Sequence, residues 1–215
     1  MSSLQKILCG TALGLLLAAA ITPANAGTVF ESATYTGNDT GEYILSENDL
    51  IGAAFTLTKT TTIWKVGAQF GGFPGGDIFA AIVPLASPTS FPGAPSDQLS
   101  SISLADVEFS VPTAVAVDLK VKLPTPLTLG PGSYAVIFGS GQFGATGFAG
   151  LGDENDPSGT PFLFRSFFST DWAEFDDNGV RLDVSSTPIP AALPLFASGL
   201  GALGLIARRR AKKRA

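Results

Sequence analysis

Apolar and polar residues alternate along much of the chain. Val115, Val117, Leu119, Val121 and Leu123 are interleaved with Ala116, Asp118, Lys120 and Lys122, and Val180, Leu182 and Val184 with Arg181, Asp183 and Ser185. Successive side chains of a strand point to opposite faces, so a period of two predicts strands with one face in a core and the other in water. Further strand-like runs occupy residues 29–36, 50–57, 61–70, 78–83, 99–111 and 134–139. Glycine and proline clusters at 71–76, 88–95, 124–126 and 130–132 separate them and predict turns. No window of a dozen residues before residue 188 keeps the apolar period of a helix. Many short strands with near-regular turn signals predict an all-β fold, an antiparallel β-sandwich or jelly roll. No repeat of fixed period occurs, which argues against propellers and solenoids.

Both ends depart from this pattern. Lys6, the apolar residues 7–21 and Ala24-Asn25-Ala26 form the three regions of a secretory signal over residues 1–26. The small residues Ala24 and Ala26 fit the shallow pocket of signal peptidase. Near the other end, residues 188–207 are 20 positions without a charge. At helical rise that length spans a hydrocarbon core of ~30 Å. Arg208, Arg209, Arg210, Lys212, Lys213 and Arg214 follow it. Such a basic cluster holds its end of a span in the cytoplasm and stops transfer. Residues 27–187 are then an extracytoplasmic domain, and 188–215 an anchoring segment. The prolines at 188, 190 and 194 keep the entry to the span extended, in a form open to a processing enzyme.

The run Pro188-Ile189-Pro190-Ala191-Ala192-Leu193-Pro194-Leu195-Phe196, the small residues of 199–204 and the closing arginine cluster resemble the PEP-CTERM class of protein-sorting tails. The variant written V-P-L-P-A is the nearest form, with Thr187 and Ile189 in place of its Val and Leu. The resemblance implies a Gram-negative envelope protein with Pro188, Ile189, Pro190 and Ala191 as its sorting motif. It further implies inner-membrane anchoring, processing by an exosortase-type enzyme, release to the cell surface, and a link to exopolysaccharide and biofilm. Within the domain, Leu129-Gly130-Pro131-Gly132-Ser133-Tyr134 running into Ala135-Val136-Ile137-Phe138, with Trp172 and Gly179-Val180-Arg181, resembles the choice-of-anchor sandwich domains of exported bacterial proteins.

Composition narrows the chemistry. The 215 residues include no histidine and one cysteine, Cys9, which lies inside the signal. Without histidine there is no Ser-His-Asp or Cys-His nucleophile and no imidazole metal ligand. A thiol-free domain of about 160 residues is stabilised by its core alone. Charged residues are 14% of the chain, and its mean hydropathy is +0.32. The positive mean hydropathy is set substantially by the two terminal segments. Between residues 27 and 187 lie six basic and 18 acidic residues, a net charge of −12 against −5 for the whole chain. An acidic surface of that kind repels nucleic acid and attracts cations.

Gly139-Ser140-Gly141-Gln142-Phe143-Gly144 fits G-x-G-x-x-G, but Gly147 and Gly150 follow too closely for the helix that would hold a pyrophosphate. A glycine-rich loop is expected there. Asp153, Glu154 and Asp156 in one loop, and Asp176 and Asp177 in another, are candidate calcium ligands, since calcium takes six to eight oxygens. No other cofactor is implied. Trp172, Phe168 and Phe175 are candidate sugar-stacking residues, because pyranose C–H edges pack on aromatic faces while hydroxyls need polar partners. The expected function is a non-catalytic, structural or adhesive role at the cell surface. A calcium-dependent carbohydrate-binding adhesin is the first alternative, with polysaccharide as partner. A glycoside hydrolase using two carboxylates is the second.

Overall fold

The structure, a computed structural model, describes residues 27–37, 42–47, 49–72, 75–112, 117–157, 162–175 and 179–186. The predicted signal, the predicted sorting segment, Asp176 and Asp177 lie outside the described residues. Residues Gly27–Thr187 form one compact unit.

The chain is all-β, with antiparallel sheets throughout and one 3-10 helix among the described residues. The strands are β1 (Thr28–Glu31), β2 (Ala33–Thr34), β3 (Glu42–Leu45), β4 (Asp49–Leu57), β5 (Thr61–Phe70), β6 (Asp77–Leu85) and β7 (Ala105–Ser110). They continue as β8 (Val117–Leu129), β9 (Gly132–Gly139), β10 (Ala149–Gly152), β11 (Asp156–Pro157), β12 (Leu163–Phe167), β13 (Ala173–Glu174) and β14 (Leu182–Ser186). A first sheet has the order β1-β14-β5-β10-β3, with β8 on the other edge of β5. Where β14 leaves β5 beyond Ala68, β10 takes its place through the pair Leu151 and Phe70. A second sheet has the order β13-β12-β4-β9-β6-β7, and β2 pairs with β11 apart from both.

The two sheets share a core in a sandwich-like arrangement. Ile63, Val66, Ala68 and Phe70 of β5 and Leu182 and Val184 of β14 meet Ile51, Ala53 and Phe55 of β4, Ile78, Ala80 and Ile82 of β6, and Val136 and Phe138 of β9. Phe70 stands edge-on to Phe138 and Phe109, with ring centroids 6.0 and 5.8 Å away. In β4, β6 and β9, however, the intervening residues are apolar too. Leu50, Phe79, Ala81, Val83, Ala135, Ile137 and, on β12, Phe164 form a second core with Leu99 and Ala145 on the opposite face of the second sheet. A strand apolar on both faces needs cover on both. Here the second cover comes from the long connection between β6 and β7, which carries the 3-10 helix Ser96–Ser101, and from the turn holding Ala145.

That cover corrects one expectation, a strand over residues 99–111. The strand starts at Ala105, and Leu99 lies on the 3-10 helix, fully buried in the second core. The run 29–36 is likewise broken at Ser32, whose hydroxyl donates to the Val180 carbonyl at 2.6 Å and accepts from the Leu182 amide at 2.7 Å. The turn expected at 124–126 is a bulge inside β8. Lys122 pairs with Lys65 and Leu127 with Ile63, leaving the residues between them looped out. Both prolines are tolerated because β8 pairs on one side only. Residues 71, 72, 75 and 76 and residues 130–131 fall between strands as expected, and Gly132 opens β9.

Candidate functional site

The outer face of the first sheet is built from the polar positions of β14 and β8. Alternation predicts that Arg181, Asp183 and Ser185 face water, yet they are 4%, 0% and 3% exposed. Neighbouring side chains cover them. Arg181 donates through Nε and Nη2 to the two carboxylate oxygens of Asp118, at 3.0 and 3.3 Å. Its Nη1 donates to Glu31 Oε2 at 2.8 Å and to the Ala33 carbonyl at 2.9 Å. Burial disfavours the charge on this guanidinium, but its bonds to Asp118 and then Glu31 outweigh burial and raise its pKa above the ordinary arginine value. Beside it, Lys120 donates to Asp183 at 2.9 Å across β5, and Ser185 donates to the other Asp183 oxygen at 2.7 Å.

Gly67 makes the Lys120 crossing feasible. It lies between Asp183 on β14 and Lys120 on β8, and a Cβ there would stand 2.6 Å from the Leu119 carbonyl oxygen and 3.0 Å from Lys120 Cγ. These charges are saturated by each other, and a buried pair of this kind holds a sheet face in register rather than offering a site.

The acidic loop 153–156 is anchored by its one amide. Asn155 is 5% exposed, donates through Nδ2 to the Gly179 carbonyl at 2.9 Å and to Gln69 Oε1, and accepts the Thr36 amide at 3.1 Å. Glu154 and Asp156 are exposed and Asp153 half-buried. Among the described residues no group of three or more such side chains is gathered at metal-binding distance. Gly179, which follows Asp176, Asp177 and Asn178 in sequence, packs on the Asp153 carbonyl.

The three candidate aromatics do not share one platform. Trp172 belongs to the second core, where its ring stands edge-on to Phe164 at 5.1 Å and its Nε1 donates to the Ala94 carbonyl at 3.0 Å. Phe175 packs on the main core, on the opposite face of the second sheet, edge-on to Tyr43 at 5.6 Å. Phe168 is 74% exposed, at the turn between β12 and β13, with φ of 52°. Positive φ is rare for a bulky residue, and the turn is pinned against it. Ser166 donates to the Ser169 carbonyl, Ser96 Oγ bonds Ser166 Oγ at 2.8 Å, and the Ser96 amide donates to Thr170 at 3.0 Å.

Arg165 of β12 was not singled out by the sequence. It lies on the same strand face as Leu163, at the margin of the main core, where β3 of the first sheet approaches β12 and β13 of the second. Its guanidinium carbon is 5.7 Å from the ring centroid of Tyr43 and 5.4 Å from those of Phe167 and Phe175. Phe167 in turn lies 4.0 Å from Phe168 and is 52% exposed. The only sequence signal was an arginine within an aromatic run, Phe162-Leu163-Phe164-Arg165-Ser166-Phe167-Phe168, and such runs also arise in ordinary core strands.

Beyond Gly139, the last residue of β9, the glycine-rich segment is a loop, with Gly141, Phe143 and Gly144 at φ of 83°, 54° and 89°. Its Phe143 packs on Phe79 at 4.9 Å. No protein-family model and no curated protein matches the chain.

Trp172→Ala is expected to lower stability and with it the melting temperature, by less than the ~3–5 kcal/mol of a fully buried tryptophan because Trp172 is half-buried. Polysaccharide retention per folded molecule should stay unchanged. Thermal melts with a sedimentation assay on insoluble polysaccharide check both, and lost retention with an unchanged melt would make Trp172 a binding residue.

Proposed function

We propose that this is an exported, non-catalytic protein of a Gram-negative bacterial surface or extracellular matrix, with a structural or adhesive role linked to exopolysaccharide. The observation that carries this reading is the order of segments along the chain. An export signal with Ala24 and Ala26 precedes an acidic all-β domain, which precedes Pro188-Ile189-Pro190-Ala191, an uncharged stretch and six basic residues. Each segment does one physical job: address, fold, process, stop. A net charge of −12 over residues 27–187 keeps the domain soluble and away from anionic lipid and nucleic acid. The exposed rings of Phe167 and Phe168 supply an apolar contact surface on that acidic exterior.

Mass spectrometry of the protein recovered from its native host is expected to find residues 1–26 and 192–215 removed. Retention of 192–215 would make the tail a plain membrane anchor and exclude sorting by an exosortase-type enzyme.

A second reading, a calcium-dependent carbohydrate-binding adhesin, draws on the contact between Gly179 and the 153–156 loop. Asn155 of that loop donates to the carbonyl of Gly179, the residue after Asp176, Asp177 and Asn178 in sequence, and calcium takes six to eight oxygens. On this reading millimolar calcium raises the melting temperature by a few degrees through linkage, and chelator reverses the rise. An unchanged melt at millimolar calcium would remove it.

A further inference from the structure

We propose that Arg165, with Phe167 and Phe168, forms a binding site for an acidic sugar, a hexuronate residue within an otherwise neutral polysaccharide. The inference deepens the surface-adhesive reading above and rests on it for the source of the ligand.

Arg165 differs from the two ion-paired cations of the described residues, and from Lys122, which lies over the single ring of Trp64. Arg181 is held by Asp118 and Glu31, and Lys120 by Asp183. Arg165 has three aromatic rings around it and, among the described residues, neither an ion pair nor a side-chain hydrogen bond. Ring faces steady a guanidinium through their negative quadrupole but cannot accept its in-plane N–H donors. The planar fork therefore stays available, held in one place by rings that restrict its rotamers. A pre-positioned fork matches the two oxygens of a carboxylate, and the resulting charge-assisted bonds are about twice as strong as neutral ones.

The surroundings specify what carries that carboxylate. Phe167 bridges the guanidinium and the Phe168 ring, and Phe168 is the most exposed large apolar side chain among the described residues. Its left-handed backbone, in a turn held by the Ser96, Ser166 and Ser169 bonds, keeps an exposed apolar ring beside that of Phe167. A pyranose stacked on such a ring, with its C5 carboxylate directed at Arg165, uses both features together. Domain charge limits the ligand further. At −12 the domain repels a polymer with a charge on every residue, so it favours isolated uronates spaced along a neutral chain.

The test titrates the full chain in detergent with two soluble oligosaccharides of equal length, one containing a single glucuronate and one with glucose at that position. The acidic oligosaccharide should bind about tenfold or more tightly. Arg165→Gln should abolish the difference and leave the neutral affinity unchanged, whereas Arg165→Lys, with charge but no fork, should keep only part of it. Phe168→Ala should weaken both ligands without moving the melting temperature, since its ring is exposed. Equal binding of the two sugars by the wild-type chain would overturn the proposal, as would an undiminished preference in Arg165→Gln. A short acidic peptide bound as tightly as the uronate would also overturn it, by assigning the site to peptides. These results are independent of tail processing: loss of the sugar preference leaves the export reading standing, and a retained tail leaves the site standing.

Discussion

The second sheet is apolar on both faces, and most of the architecture follows from having to cover it twice. Opposite the first sheet the cover is regular, strand against strand. On the other face it is irregular: a 19-residue excursion between β6 and β7, a 3-10 turn that delivers Leu99, and the side chains of Ala145 and Trp172. Each large side chain buried there contributes ~1.5–3 kcal/mol, enough to hold a long connection that has few backbone bonds of its own. The same packing reaches the edge of the sheet. Ser96 on the cover ties down the β12–β13 turn, so the rigidity that protects the second core also sets the position of Phe167 and Phe168.

The outer face of the first sheet is managed by charge. Arg181 and Asp183 are desolvated, which is costly, and each is compensated by partners on adjacent strands. Glu31, Asp118 and Lys120 come from β1 and β8, which flank β14 and β5, so the ion pairs run across the sheet and penalise any slip of one residue. On this face two cations and three carboxylates thus hold one another. Arg165, on the second sheet, meets rings in place of carboxylates, and on that contrast rests its proposed role in recognition.

The fold was legible where physics is local. Alternation along 117–123 and 180–184 and the glycine-proline turn at 130–132 indicated strands and a connection where β8, β14 and the β8–β9 turn stand. Alternation could not reveal that polar positions on β14 are buried, because burial there depends on Lys120 crossing Gly67 from a strand more than 50 residues away. The cover over the second sheet was equally hidden: Leu99 belongs to a run that reads as a strand, and only the need to fill a second core turns it into a 3-10 helix. Of the candidate aromatics, Phe168 and Phe175 lie near Arg165 through Phe167 and ring contacts, while Trp172 serves the opposite face. A single strand sends Phe164 one way and Arg165 the other, a distinction that composition does not carry.

Amide hydrogen exchange of the full chain, read with and without a glucuronate-bearing oligosaccharide, tests most directly the claim that a rigid, doubly covered sheet presents an edge site. Slowest exchange is expected in β4, β6 and β9 in both conditions, with ligand-induced protection confined to residues 162–175 and the adjoining β3. Fast exchange in those central strands, or protection appearing elsewhere with none at 162–175, would contradict it.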